Sequence, residues 1–446
     1  TNYQLPITHY PLPVIEFLPG HDMKTLANQL LPWSVDFSRL HQKYSPLLNL
    51  VKLLIGVIPN CDPILEIWPV GFRTYNLLVP NLFNLPISLI DRKSNKALLG
   101  LAMYSASQTA QCAYCTAHSC SFALRRGLSA DVFQGNTNPK QKAVIALGQA
   151  LSTIPANVPN NLISELRTHF NDTELEQFAL SIGMMGFLNK FMDAVGVELE
   201  VDSINDVSHI LSSTGWTPGK HRDEDDLLNV SPRIVTTDSL KTYLRVFLQA
   251  PVAIRIERQW TKGVSGNSAN AQAYLKNIVG HDFPLLINIK PSRVVRALTT
   301  VLRDNLDSHT SEIGLNTKVL CGLIFAATVE NNYLIQESIT LAKLFNPDLS
   351  DTNIETLKNI ANLSVPTDKS ESKKQLNNII TALNCSQKSA AAFIFTKAVS
   401  NSPADVNETI LSEISPILSP AELVELNVWI SIQQLMHRLE RYYSAI

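Results

Sequence analysis

Three of the six cysteines of this 446-residue chain lie in one short segment, QCAYCTAHSC, at 111–120. Cys112 and Cys115 form a Cys-x-x-Cys pair, and His118 and Cys120 follow. When such a pair opens a helix, its sulfurs lie within about one turn, and the helix N-terminus can lower a thiol pKa from ~8.5 to ~3.5–7.5. His118 shares a helical face with Cys115 and could take up and return a proton. The spacing therefore favours thiol–disulfide redox chemistry.

Two other interpretations of the segment stay open on spacing alone. Structural zinc sites draw cysteine and histidine pairs from separate turns, whereas one helix cannot surround a metal ion. A covalent haem site would need histidine directly after the second cysteine, where Thr116 stands. We therefore expect no metal and no bound cofactor. The plainer alternative is a helix contact lined by small residues, because cysteine is among the most buried residue types.

The elements that must position these residues are predicted to be helices. Apolar residues recur at spacings of three and four, as at Val144, Leu147 and Leu151, and strict alternation is scarce. This pattern predicts an all-α fold. Helices should begin after Asn171 and after Ser419, where capping residues precede acidic residues, and one should end before Gly127.

The two halves of the chain resemble each other weakly. Residues 111–119 align with 330–338, and 174–191 align with 422–439, although the spacing between the two matches differs. A turn-rich stretch at 212–236 separates the halves. We predict two tandem helical repeats, 1–227 and 228–446. In the second repeat Asn331, Leu334 and Glu337 replace Cys112, Cys115 and His118, so that copy is expected to lack the chemistry.

The overall composition argues against nucleic acid as a partner and against a membrane location. The net charge of −2 gives no electrostatic basis for binding nucleic acid. The longest apolar run, at 47–58, is too short for a membrane span and contains Lys52. The segment TNYQLPITHYPLP at 1–13 lacks the basic and apolar regions of a signal peptide. With few cysteines, the chain is expected to act in the reducing cytoplasm, without a membrane.

The segment CAYCTAHS, followed by FALRRGLS, resembles the redox branch of the alkylhydroperoxidase D-like / carboxymuconolactone decarboxylase superfamily. The stretch LNKFMDAVGVELE at 188–200 resembles the closing helix of that family, and the likeness covers roughly 60–200. It implies a helical bundle that forms homo-oligomers and an antioxidant enzyme that reduces a peroxide. Cys115 would be the attacking thiolate, Cys112 its disulfide partner and His118 the proton carrier. A thiol reductant protein or a small dithiol would supply the electrons.

The chain departs from the family pattern at two positions of the proton relay. The family places a glutamate twelve residues before the first cysteine, where this chain has Gly100, and no glutamate occurs between Glu66 and Cys112. The best-known redox members place histidine four residues after the second cysteine, where Ser119 stands here, and His118 lies one residue earlier. The resemblance therefore leaves the acid of the relay to be supplied by another segment or subunit.

Several residues outside the motif are further candidates for the site. His221 and Lys220 lie in the turn-rich segment 215–222, which could cover the thiols, although a solvated linker is the favoured interpretation. Lys190 could touch the site, with packing favoured, and Cys120 is interpreted as a buried spectator. Two rival functions remain: a catalytically faded scaffold or interaction protein, and a decarboxylase-type enzyme acting on a small carboxylated ring.

Overall fold

The structure is a computed structural model, and it describes residues 25–86, 95–222 and 230–446. In those residues every regular element is a helix, which confirms the all-α prediction. The α-helices, numbered in chain order, are α1 Leu26–Leu30, α2 Phe37–Ile55, α3 Asp62–Leu65, α4 Pro69–Leu82, α5 Lys96–Thr109, α6 Ala113–Arg125, α7 Pro139–Ala150, α8 Asn160–Arg167, α9 Asp172–Val195, α10 Val201–Leu211, α11 Leu240–Trp260, α12 Ser268–Val279, α13 Leu285–Asn288, α14 Ser292–Asn305, α15 Leu315–Thr328, α16 Asn332–Phe345, α17 Asp351–Ile360, α18 Lys369–Leu383, α19 Gln387–Ser400, α20 Glu408–Ile414 and α21 Pro420–Tyr443.

The predicted helix ends are confirmed by their capping geometry. Asn171 caps α9 and Ser419 caps α21, each in a reciprocal capping box with a glutamate at the third helical position. Helix α6 ends at Arg125, and Gly127 then turns the chain with a φ of 90°. These caps satisfy backbone groups that would otherwise lack partners at the helix termini.

The helix pair that carries the motif has a counterpart in the second half. Helices α5 and α15 begin at Lys96 and Leu315, and α6 and α16 begin at Ala113 and Asn332, so both pairs are offset by 219 residues. The residue before each second helix is its N-cap, Cys112 in one case and Asn331 in the other. The helix that the tandem repeat requires at 330–338 is therefore present.

A second, larger offset relates the helices that follow. It is 248 residues, and it relates the starts of α7, α8 and α9 (Pro139, Asn160 and Asp172) to those of α19, α20 and α21 (Gln387, Glu408 and Pro420). The difference of 29 residues (248 − 219) falls where α17 and α18 are inserted. This insertion explains why the spacing of the two sequence matches differs. The recurring bounds support a tandem repeat, which stays a prediction.

Helices α9 and α21 pack closely against each other at two glycines. An added Cβ at Gly183 would lie 2.8 Å from Leu439, and one at Gly186 would lie 2.9 Å from Arg438. Both distances are too short for a real side chain, so glycine permits the close approach. The buried apolar side chains form one cluster that reaches from α1 to α21 and includes Leu26 and Leu435. The burial of these apolar side chains is the main contribution to the stability of the fold.

Two predictions fall outside the described residues: the absence of a signal peptide at 1–13 and the repeat boundary between 227 and 228. The stretch 212–236 holds no α-helix in its described part, as the loop prediction requires. In the described ranges, none of the helices combines the length and the apolar character that a membrane crossing needs.

Candidate active site

The Cys-x-x-Cys pair lies at the N-terminus of α6, as its spacing predicts. Gln111 has a φ of 54° and turns the chain into Cys112, which is the N-cap. The Cys112 Sγ accepts a hydrogen bond of 3.4 Å from the backbone N–H of Cys115. Both thiols are free, with 0% and 2% of the residue exposed. Other segments of the chain therefore cover this end of α6.

The two thiols have opposite pKa shifts. Burial alone raises the pKa of Cys112, but a hydrogen bond from the Cys115 side chain and the nearby His221 side chain outweigh it and lower the pKa to about 6. Burial and the hydrogen bond to Cys112 raise the pKa of Cys115 well above its usual range. The negative charge of the pair therefore rests on Cys112 at neutral pH, with the Cys115 thiol donating to it.

His221 belongs to the segment 216–222, which covers Cys112. Its Nδ1 donates to the Val197 carbonyl at 2.7 Å, which leaves Nε2 on the side of Asp193, 3.9 Å from its Oδ1. His221 is only 1% exposed, and Trp216 Nε1 donates to the Ala113 carbonyl at 3.1 Å. The interpretation of this segment as a solvated linker is wrong for these residues.

Cationic side chains surround the thiols from both halves of the chain. Lys190 is buried and donates to the Ser400 carbonyl at 3.1 Å, and burial lowers its pKa to about 7. Lys220 Nζ lies 3.0 Å from Asp193 Oδ1. Burial likewise lowers the pKa of Arg438 to about 9, while the nearby thiols Cys115 and Cys112 act in the opposite direction. Lys190 is thus hydrogen-bonded as well as packed, and the charge of Cys112 acts to raise its pKa.

The second half also fixes the acid beside the thiols. The backbone N–H of Ala404 donates to Asp193 Oδ2 at 2.6 Å, and Lys220 also donates to the Ala404 carbonyl at 3.2 Å. Asp193 is therefore held by groups from two distant parts of the sequence. The first half supplies the dithiol, and the second half completes its surroundings.

His118 has a carboxylate partner that the sequence did not indicate. His118 Nε2 lies 2.8 Å from Glu200 Oε2. Glu200 Oε1 accepts a hydrogen bond of 2.8 Å from the Tyr114 hydroxyl and one of 2.7 Å from the backbone N–H of Asn60. Burial raises the pKa of Glu200, but His118 and the other donors outweigh it and lower the pKa below its usual range. An ionised Glu200 therefore orients the His118 ring.

Gly100 shows why a glutamate cannot stand at the family's usual relay position. A Cβ added there would lie 2.6 Å from the Ala123 Cβ and 2.7 Å from its Cα, since α5 and α6 are in close contact. Glu200 instead follows α9, in the stretch already noted at 188–200. No local spacing links it to His118, because the two residues are 82 positions apart.

A small apolar cavity of about 70 Å³ lies beside Cys115. By this measure one water needs ~10–15 Å³, so the cavity has room for a small group of several atoms. Cys115, His118, Tyr114 and Ser119 are among the residues that line it, and Cys112 does not line it. The remaining lining is mostly aliphatic, aromatic and methionine side chains: Val51, Leu54, Ile55, Pro59, Tyr75, Val79, Phe83, Leu85, Met103, Phe122, Met185, Leu188 and Met192.

Two further buried groups lie near this centre. Cys120 is fully buried, and burial raises its pKa, which fits its interpretation as a spectator. Asp62 is also fully buried, and neither carboxyl oxygen has a hydrogen-bond partner in the described residues. Burial, followed by the charges of Glu200 and Glu66, raises the pKa of Asp62 to about 8. In the ranges that the structure describes, no group of three or more His, Cys, Asp or Glu side chains could hold a metal ion.

Comparison with known proteins gives little beyond this geometry. No protein-family model matches the chain, and no curated protein matches it. Among solved structures it is similar to the apo form of the debrominase Bmp8, with 21% identity over 40% of this chain and 95% of that chain. The TM-score of 0.34 is too low for the likeness to carry an argument about fold or activity.

Proposed function

We propose that this chain is a thiol-dependent peroxidase or disulfide oxidoreductase of the alkylhydroperoxidase D-like type, with Cys112 and Cys115 as its redox centre. One observation carries the proposal. Two adjacent thiols form the pair: Cys112, whose pKa is lowered to about 6, and Cys115, which lines a cavity together with His118. A purely structural cysteine pair in a helix contact needs neither the cavity nor the lowered pKa.

Cys115 is the attacking residue in this proposal because it lines the cavity and Cys112 does not. His118 takes the thiol proton of Cys115, and the sulfur attacks one peroxide oxygen. The S–O bond forms as the O–O bond breaks, and His118 returns the proton to the leaving oxygen, which departs as an alcohol or as water. Cys115 is thereby oxidised to a sulfenic acid.

Cys112 then resolves the sulfenic acid. Its thiolate attacks the Cys115 sulfur, the S–S bond forms, and the S–O bond breaks. The departing hydroxide takes the proton held by the His221–Cys112 pair and leaves as water. The net reaction converts one peroxide and two thiols into one alcohol (or water), one water and one disulfide. An external dithiol reduces the disulfide and restores both thiols.

Each of the two proton transfers has its own histidine, and each histidine lies beside a carboxylate. Glu200 orients His118 on the cavity side, and Asp193 and Lys220 flank His221 on the covered side. Positioned acid–base groups of this kind contribute typically 10²–10⁴-fold to a rate. The scaffold alternative gives no role to these pairs, and the decarboxylase alternative gives none to the dithiol. The homo-oligomer stays a prediction.

The test is consumption of peroxide by the reduced protein with a dithiol donor. We expect turnover by the parent protein and none by Cys115→Ser. If Cys115→Ser consumes peroxide as fast as the parent protein, the proposal is wrong. Cys120→Ser is the matched control, because Cys120 is equally buried on the same helix and does not line the cavity.

A further inference from the structure

A second, open groove lies next to the cavity of Cys115. It runs between α2, α4, α11 and α14 and has a volume of about 450 Å³, within the range of ordinary ligand pockets. Its floor includes Leu47 and Leu50, and its rim includes Phe247, which is 70% exposed. An exposed phenylalanine beside an apolar groove presents a surface that an apolar ligand would cover.

The groove is adjacent to the catalytic cavity. Leu54 and Leu85 line both spaces. A flexible apolar chain lying in the groove would therefore extend to these two leucines, which also line the cavity of Cys115 and His118. The aliphatic and aromatic lining on both sides would be favourable for such a chain.

The groove also contains an excess of positive charge. Arg258, Arg293 and Arg296 line it, against one carboxylate, Glu257. Arg293 Nε donates a hydrogen bond of 2.8 Å to Asn81 Oδ1. Asn81 Nδ2 in turn donates one of 3.1 Å to Glu257.

Arg258 is exposed and Arg296 half-buried, and in the part of the chain that the structure describes neither forms an ion pair. Two such guanidinium groups beside an apolar floor match an elongated apolar molecule with an anionic end.

We infer that this groove binds the anion of a long-chain fatty acid. Its carboxylate lies at Arg258 and Arg296, and its acyl chain follows the leucine floor toward Leu54 and Leu85. One part of the inference rests on the proposed function: the peroxide that Cys115 reduces is then a hydroperoxide of such an acyl chain. Binding of the fatty acid itself does not depend on the dithiol chemistry.

Calorimetric titration with hexadecanoate, below the concentration at which it forms micelles, tests the binding. We expect binding by the parent protein, roughly tenfold weaker binding by Arg258→Gln/Arg296→Gln, and weaker binding of the uncharged hexadecanol. Arg255→Gln is the matched control, because Arg255 is exposed on the same helix and does not line the groove. Absence of hexadecanoate binding, or equal binding by the double variant and the control, overturns the inference. Circular dichroism confirms that each variant is folded.

A second measurement separates failure of the inference from failure of the proposed function. The ratio of kcat/KM for a long-chain fatty acid hydroperoxide to that for tert-butyl hydroperoxide is compared between the double variant and Arg255→Gln. We expect the double variant to lower the ratio roughly tenfold. If the parent protein binds hexadecanoate but reduces no peroxide, the proposed function fails and the binding site stands. If it reduces tert-butyl hydroperoxide but binds no hexadecanoate, the inference alone fails.

Discussion

His118 Nε2 and Glu200 Oε2 are 2.8 Å apart, although 82 residues separate them in the sequence. The Glu200 side chain is 10% exposed and accepts two further hydrogen bonds, so its position is fixed. In the proposed mechanism this pair provides the relay that a glutamate on α5 would otherwise supply. The close contact of Gly100 with Ala123 excludes that alternative in this chain.

The first prediction concerns Glu200→Gln. The amide keeps the shape of the side chain but removes the charge that orients His118 for proton transfer. We expect kcat for peroxide consumption to fall by roughly 10–100-fold and its pH profile to shift, while the protein remains folded. Glu198→Gln is the control, because Glu198 is two residues away and its side chain is 64% exposed. Equal rates for the two variants would remove Glu200 from the mechanism.

The second prediction separates the roles of the two thiols. Cys112→Ser should complete a single turnover and stop with an oxidised Cys115, because no resolving thiol remains. Intact-mass measurement should then show one added oxygen, which a dimedone-type reagent can trap. If the oxygen is found instead on Cys112 in the Cys115→Ser protein, the attacking and resolving roles are reversed.

The third prediction concerns the ionisation of Cys112. Its folded-state pKa of about 6 lies below the usual thiol value, so its contribution to stability is present at high pH and is lost as pH falls through about 6. The thiolate absorbance of the parent protein should therefore have a midpoint near that pH. His221→Asn removes a neighbouring imidazole that lowers the pKa of Cys112, and the midpoint should move upward by about one unit or more. An unchanged midpoint would show that His221 does not act on the thiol.

The fourth prediction concerns the buried carboxyl of Asp62. The folded-state pKa of Asp62 is about 8, which lies above the unfolded value. The buried carboxyl therefore lowers the free energy of unfolding increasingly as pH rises from about 4 to about 8. Asp62→Asn should therefore be more stable than the parent protein at neutral pH, by roughly 2–4 kcal/mol, and the difference should vanish near pH 4. Denaturant unfolding at both pH values measures this. Equal stability at neutral pH would contradict the assigned pKa.

The sequence predicted the parts of the site that are local in the chain. The spacing of Cys112, Cys115 and His118 fixes their places on one helix, and capping residues such as Asn171 and Ser419 fix the helix starts. Both are consequences of helix geometry within a few residues. These features needed no knowledge of the tertiary fold.

The partners of the motif could not be predicted in the same way. Glu200, His221 and Asp193 reach it by tertiary packing, and Arg438 reaches it from α21 in the other half. No periodicity relates such distant positions. The sequence therefore could not show that tertiary packing buries the segment around His221. The different spacing of the two sequence matches could likewise not be predicted, because it depends on the position of α17 and α18.

The most direct test of the proposed redox centre is a count of thiols before and after one equivalent of peroxide. The reduced protein has six cysteines, all free. The proposal predicts that peroxide disappears stoichiometrically, that two thiols are lost with a mass decrease of two hydrogens, and that the disulfide maps to Cys112 and Cys115. Retention of all six thiols, or a disulfide that joins any other pair, would contradict it.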